Sequence, residues 1–242
     1  MSPAGGPARP KRPLVIAHRG ASAQRPENTL PAYALAVEQG ADMIEIDLHR
    51  SRDGAIVVTH DAQLEGLGGR GEIADASLAE IRALDAGDGE RVPTLDEVLD
   101  AFGERIAFNL ELKRASRGTY EGLEERAVAA VRQRGILART LFSSFYDPVL
   151  AALRGEGDDV RIGTLVSPRA PDGWLERSRA VGAEAVHFWL GLATPEAVAA
   201  AHEAGLDVHV YTVDAVETMR ALLARGVDGF FTNHPDRLRA LL

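Results

Sequence analysis

Along residues 43–48 polar and apolar positions alternate with a period of two. Ile44, Ile46 and Leu48 fall on one side of an extended chain and Glu45 and Asp47 on the other, because successive strand side chains point to opposite faces. Residues 106–113 repeat the pattern, with Phe108, Leu110 and Leu112 opposite Asn109, Glu111 and Lys113. Shorter apolar runs predict strands over 14–17, 140–144, 161–166, 185–189, 207–213 and 229–232. Between them, residues 29–39, 95–102, 120–134, 148–154, 174–181, 195–204, 216–224 and 235–242 read as helices. Gly40, Gly135, Gly182, Gly205 and Gly226 serve as helix stops, and Asn28 is expected to cap the first helix. The turn Arg52-Asp53-Gly54 leads into Ile56-Val57-Val58, read as a hairpin arm outside the main series.

Strands and helices in regular alternation imply a parallel sheet with helices outside it. About eight such units in a chain of 242 residues predict an α/β fold, a (β/α)8 TIM barrel. The expected organisation is one domain over 14–242, with a loop insertion at about 62–93 after the second strand. A doubly wound open sheet is the runner-up, and neither GxGxxG nor GxxxxGK[ST] follows the first strand to support it. Residues 1–13 are small, Pro/Gly-rich and basic, and read as a disordered tail.

Barrel active sites sit at the C-terminal ends of the strands. The unusual polar residues gather there: His18 and Arg19 after strand one, Glu45 and Asp47 late in strand two, Glu111 and Lys113 late in strand three. The hairpin arm then delivers His60 and Asp61. Two carboxylates on one strand face cannot enter a dry core unpaired, so a metal ion or a Lys/Arg is expected between them. The later strands are more apolar, which puts the site on one side of the barrel mouth. Asp61 reads either as an orienting partner for a histidine or as a turn residue. His49, His187, His202, His209 and His234 read as structural or solvated, and Phe188 and Trp189 as packing or an apolar wall.

Composition removes several classes of function. The net charge of −9 argues against nucleic acid as a partner, while leaving room for a small anionic substrate in one locally positive cleft. The absence of cysteine excludes disulfides, thiol nucleophiles and Cys-ligated zinc. No run of 18 apolar residues and no signal-like apolar segment is present, so the expectation is no membrane span and a cytoplasmic location. Nothing in the sequence specifies an oligomer.

Five ordered motifs carry a resemblance: Ala17-His18-Arg19-Gly20-Ala21, Pro26-Glu27-Asn28-Thr29, Glu45-Ile46-Asp47, His60-Asp61 and Glu111-Leu112-Lys113. Together they resemble the glycerophosphodiester phosphodiesterase family over nearly the whole chain, as do Ser143-Ser144-Phe145, the stretch 204–213, and Gly226-Val227-Asp228-Gly229 with Thr232 and Pro235. The resemblance implies metal-dependent hydrolysis of a small phosphodiester to glycerol 3-phosphate and an alcohol. It implies Glu45, Asp47 and Glu111 as metal ligands, with Mg²⁺ or Ca²⁺ suiting hard oxygen donors. It implies His18 and His60 as the acid/base pair, and Arg19 and Lys113 as the groups that hold the phosphoryl oxygens.

Three departures stand out against that family. The segment 65–71 reads EGLGGRG where an Arg-Thr-Thr run is common, Tyr211 replaces a common Trp, and Asn233 a common Asp. These are expected to touch substrate fit more than phosphoryl chemistry. The segment 63–90 is loop-like apart from one short helix expected over 78–84, and its glycines suggest little packing of its own. It is expected to lie over the site against the leaving alcohol. Competing readings are a Schiff-base lyase using Lys113, a barrel that only binds phosphorylated ligands, and a zinc hydrolase ligated by His18 and His60.

Overall fold

The computed structural model describes residues 12–242. Its strands are β1 Leu14–His18, β2 Met43–Arg50, β3 Ile56–Val58, β4 Ala107–Leu112, β5 Thr140–Ser144, β6 Arg161–Val166, β7 Ala185–Trp189, β8 Asp207–Tyr211 and β9 Gly229–Thr232. All but β3 pair in parallel, in the order β1-β9-β8-β7-β6-β5-β4-β2, and β2 pairs back with β1 to close the ring. This is the (β/α)8 barrel that the alternating pattern predicts. β3 lies outside the ring, antiparallel to β2, as the hairpin arm that turns at Gly54.

The helices are α1 Leu30–Glu38, α2 Leu78–Arg82, α3 Leu95–Phe102, α4 Leu123–Gln133, α5 Asp147–Gly155, α6 Trp174–Ala180, α7 Pro195–Glu203, α8 Val216–Ala224 and α9 Pro235–Arg239. Their apolar faces meet the outward face of the sheet in two large clusters, one including Ile44, Ile46, Leu110 and Phe142, the other Val186, Val208, Val210 and Phe230. The apolar cluster inside the ring is smaller: Ile16, Met43, Leu141, Ala185 and Phe231. Above it the inward face turns polar, and that change creates the site.

Two local expectations are corrected. Thr29, not Asn28, caps α1, its hydroxyl accepting from the Ala32 N–H. Asn28 instead adopts a positive φ of 57° and is buried toward the barrel. The insertion at 62–93 carries the short helix expected within it, as α2, but it does not lack packing of its own. Leu64, Ile73, Ala76, Ile81 and Val92 bury together with Val57 of β3, giving it a core of its own. Ser77 and Glu80 form a reciprocal capping box on α2 that further fixes it. Most of the tail expected over 1–13 lies outside the described residues. Arg12 is described, and it pairs with Asp42 at 2.8 Å, so the chain is anchored before β1 begins.

Candidate active site

Strand register builds the centre. His18 is opposite Glu45 across β1–β2, and Asp47 is opposite Glu111 across β2–β4. All four face inward because they share strand parity. One carboxylate oxygen from each of Glu45, Asp47 and Glu111 lies within 4.8 Å of the other two. All three side chains are buried, at 2%, 1% and 8% exposure. Three carboxylates cannot share that space with full charge unless cations sit among them.

Two cations from the chain are in place. Lys113 Nζ lies 2.9 Å from Asp47 Oδ1 and also contacts Glu111 Oε1. Arg19 Nε lies 3.1 Å from Asp47 Oδ2, and its Nη1 donates to both oxygens of Glu27. Arg19 has a φ of 57°, which turns its backbone N–H onto Glu45 Oε2 at 3.0 Å. Burial would raise the Asp47 carboxyl, but Lys113 and Arg19 outweigh it and hold the group far below the usual range. Burial pushes Glu45 well up, reinforced by Asp47 and Glu111, and burial also raises Glu111. Glu45 Oε1 is buried and has no hydrogen-bond partner among the described residues. The trio is therefore short of positive charge on the Glu45 side. An unpartnered buried oxygen amid three hard oxygen donors is what a divalent cation site requires.

His18 and His60 both line the cleft above these carboxylates. Their Nδ1 atoms are occupied: His18 Nδ1 lies 2.8 Å from Asn233 Oδ1, and His60 Nδ1 lies 2.8 Å from Asp61 Oδ1. An Asn oxygen can only accept, so His18 carries its proton on Nδ1 and leaves Nε2 free. Asp61 is thus an orienting partner. Burial, helped by the Arg19 charge, lowers the His18 pKa to about 4.

Several contributors were not assigned from sequence. Asn28 donates through Nδ2 to Asp47 Oδ2 at 2.9 Å and accepts from the Tyr33 hydroxyl at 2.9 Å. Asn233 holds His18 and donates through its own Nδ2 to Asp214. Asn233, one of the departures, therefore bears directly on the orientation of His18. His49 is buried between the Tyr120 hydroxyl, 2.7 Å from Nδ1, and the His60 carbonyl, 3.0 Å from Nε2. It ties the His60 segment to the segment after β4. The signal for His49 was its parity with Glu45 and Asp47; Asn28 stood in the 26–29 motif and Asn233 at a departure from the family, neither with this role attached.

The far wall of the cleft is apolar, formed by Phe145, Leu165, Trp189, Tyr211 and Phe231. Tyr211 and Trp189 reach the cleft, whereas His209 is buried below and Phe188 packs outside the ring against Trp174. From the insertion, Gln63 reaches the main cleft, while Gly66, Leu67 and Ala86 line a smaller pocket beside His60.

A barrel with a buried carboxylate trio, two flanking cations and two oriented histidines at the C-terminal ends of its strands is built for reaction at an anionic centre. Residues 18–237 match the family model described as Glycerophosphoryl diester phosphodiesterase family, and the chain belongs to that family of phosphoric diester hydrolases. A glycerophosphodiester phosphodiesterase of Caldanaerobacter subterraneus subsp. tengcongensis is 35% identical over 234 residues, covering 93% of this chain and 96% of that protein. One from Bacillus subtilis is 34% identical over 255 residues, covering 94% and 85%. A phosphodiesterase structure from Oleispira antarctica, in complex with the product sn-glycerol-3-phosphate, superposes with a TM-score of 0.85 at 33% identity, covering 95% of this chain and 96% of that one.

Proposed function

We propose that the chain hydrolyses glycerophosphodiesters to glycerol 3-phosphate and an alcohol, with His18 and His60 as its acid/base pair. The observation that carries this reading is the convergence of Glu45, Asp47 and Glu111 beneath the two histidines. The donor set suits Mg²⁺ or Ca²⁺ held by those three carboxylates. A divalent ion bound there supplies positive charge against the phosphoryl oxygens.

The chain's own residues do the rest. Arg19 and Lys113 face the same cleft and offer N–H donors to the remaining phosphoryl oxygens. One histidine accepts the proton of the glycerol hydroxyl adjacent to the phosphodiester, and that oxygen attacks phosphorus. The other histidine protonates the leaving alcohol oxygen as its bond to phosphorus breaks. Water then opens the cyclic phosphate, with the two histidines exchanging roles. The apolar wall faces these groups across the cleft.

The competing chemistries fit less well. A Schiff-base lysine must be neutral, yet Asp47 and Glu111, despite burial, drive the Lys113 pKa above its ordinary value. The zinc reading takes His18 and His60 as ligands, yet among the described residues the clustered group is three carboxylates, a set that suits harder cations. The test pairs Glu45→Gln with calorimetry of Mg²⁺ and Ca²⁺ binding and with product analysis on glycerophosphoglycerol. Loss of ion binding together with loss of glycerol 3-phosphate release is expected. Full activity in chelator, or in the Glu45 variant without ion binding, would remove the metal from the reading.

A further inference from the structure

The cleft has two lobes. The inner one, about 380 Å³, lies over the carboxylates and includes His18 and Arg19. The outer one, about 900 Å³, runs past His60 and Lys113 across the segments that follow β4, β5 and β6. Both lobes include His60, Glu111 and Lys113. If the proposed reaction holds, on which this inference rests, phosphorus sits at that junction. A glycerophosphodiester then has one constant arm, glycerol, and one variable arm, the leaving alcohol. The larger lobe suits the variable arm.

The charge of the outer lobe is specific. Apart from the Tyr146 phenol, its own ionisable side chains are Arg114, Arg169, Arg177, His49 and Asp61. Arg177 is committed: its Nε donates to Asp147 at 2.6 Å, and its two Nη atoms donate to the Leu165 and Phe145 carbonyls. Asp61 is committed to His60, and His49 is held between Tyr120 and the His60 carbonyl. Arg114 and Arg169 remain, both exposed and neither in a salt bridge among the described residues. Arg114 lies over the Tyr146 ring, 4.4 Å from its centroid, which holds the guanidinium plane against the lobe wall. In a chain of net charge −9, two unpaired guanidiniums in one lobe reverse the local field. A planar guanidinium favours phosphate oxygens, and a quaternary ammonium in the same place is repelled.

We propose that the outer lobe selects leaving alcohols that carry a phosphate of their own. The probe is bis(glycerophospho)glycerol, whose leaving arm bears a second phosphodiester. Glycerophosphoglycerol, with a neutral arm, and glycerophosphocholine, with a cationic one, are the comparisons. Specificity constants for the three are measured with metal-loaded enzyme at low and high salt, counting two equivalent scissile ends in the first. The wild type is expected to prefer the phosphate-bearing substrate over the choline diester by about 10-fold or more at low salt, with salt narrowing the gap. In the double variant Arg114→Gln/Arg169→Gln that ratio should fall about 5–10-fold. Equal use of the three substrates by the wild type, or equal scaling of all three in the double variant, overturns the proposal while leaving the phosphodiesterase reading intact. No hydrolysis of glycerophosphoglycerol by the metal-loaded wild type overturns both.

Discussion

At the scale of single residues, the two histidines differ in where they stand. His18 lines the inner lobe alone, whereas His60 lines both. A leaving oxygen at the junction is nearer to His60, so His60 is the expected first acid. With a nitrophenyl ester of glycerol phosphate, whose leaving group departs without a proton, His60→Ala should recover most of the lost nitrophenolate release, while opening of the cyclic phosphate, for which His60 is then the base, stays slow; His18→Ala should recover neither. Loss with an ordinary alcohol should be about 10²–10⁴-fold in kcat for either variant. Recovery in the His18 variant instead would exchange the assignments. His18 in turn depends on Asn233. Asn233→Ala removes the acceptor from Nδ1–H and frees the ring to take either tautomer. A fall of about 10–100-fold in kcat with KM nearly unchanged is expected, as for other residues that orient an imidazole. An unchanged kcat would show that packing alone holds the ring.

At the scale of elements, β7 and β8 carry a feature that their apolar appearance concealed. His187 and His209 are enclosed in the ring, their centroids 5.0 Å apart, and none of their four ring nitrogens has a hydrogen-bond partner among the described residues. They fit because β6 and β9 place glycines beside them. A Cβ on Gly163 would meet His187 Nε2 at 2.5 Å, and one on Gly229 would meet His209 Cδ2 at 2.6 Å. Burial lowers the His209 pKa to about 4, and burial together with His209 lowers His187 well below its ordinary value. A folded-state pKa below the unfolded value means that the unfolded chain binds the proton first. The stability that these neutral rings allow is therefore whole above about pH 6.5 and is lost as pH falls toward 4. Asp228 opposes this loss at His209 and Arg161 adds to it. The loss from His209 is on the order of 2–3 kcal/mol, read as a falling urea midpoint between pH 7 and 4. His187→Gln/His209→Gln should flatten that fall, whatever its stability at pH 7; parallel curves would refute the origin. The parity of β2 and β4 was legible because acids stand out in an apolar run. The histidine layer was not, because one polar residue per short strand gives no period and its glycine partners lie on other strands.

At the scale of the whole molecule, the barrel and its active face followed from the order of apolar runs and from charges confined to the first strands. That asymmetry survives in three dimensions, since β1, β2 and β4 are neighbours and the opposite strands supply the apolar wall. The insertion at 62–93 was harder to read. Its buried residues Leu64, Ile73, Ala76, Ile81 and Val92 are spaced neither as a strand nor as a helix, and they find their common core through Val57 of a different element. This changes what its removal should do. Replacing 64–71 by a Gly/Ser link deletes Leu64 from that core and loosens β3, which carries His60 toward the cleft. A milder change tests substrate contact without that loss: Gln63→Ala breaks the 2.7 Å bond from Gln63 Nε2 to Ser116 Oγ, where the insertion meets the segment after β4 at the outer lobe. The link variant is expected to lose kcat for every glycerophosphodiester, as a displaced His60 would, with affinity for the metal ion kept because Glu45, Asp47 and Glu111 lie on other strands. Gln63→Ala should leave kcat for glycerophosphoglycerol within a few-fold and shift KM most for the bulkiest leaving alcohol, since a loosened rim costs binding more than chemistry. A link variant that keeps its kcat and only reorders the alcohols would show that the insertion touches the leaving group directly and that β3 holds His60 without its help.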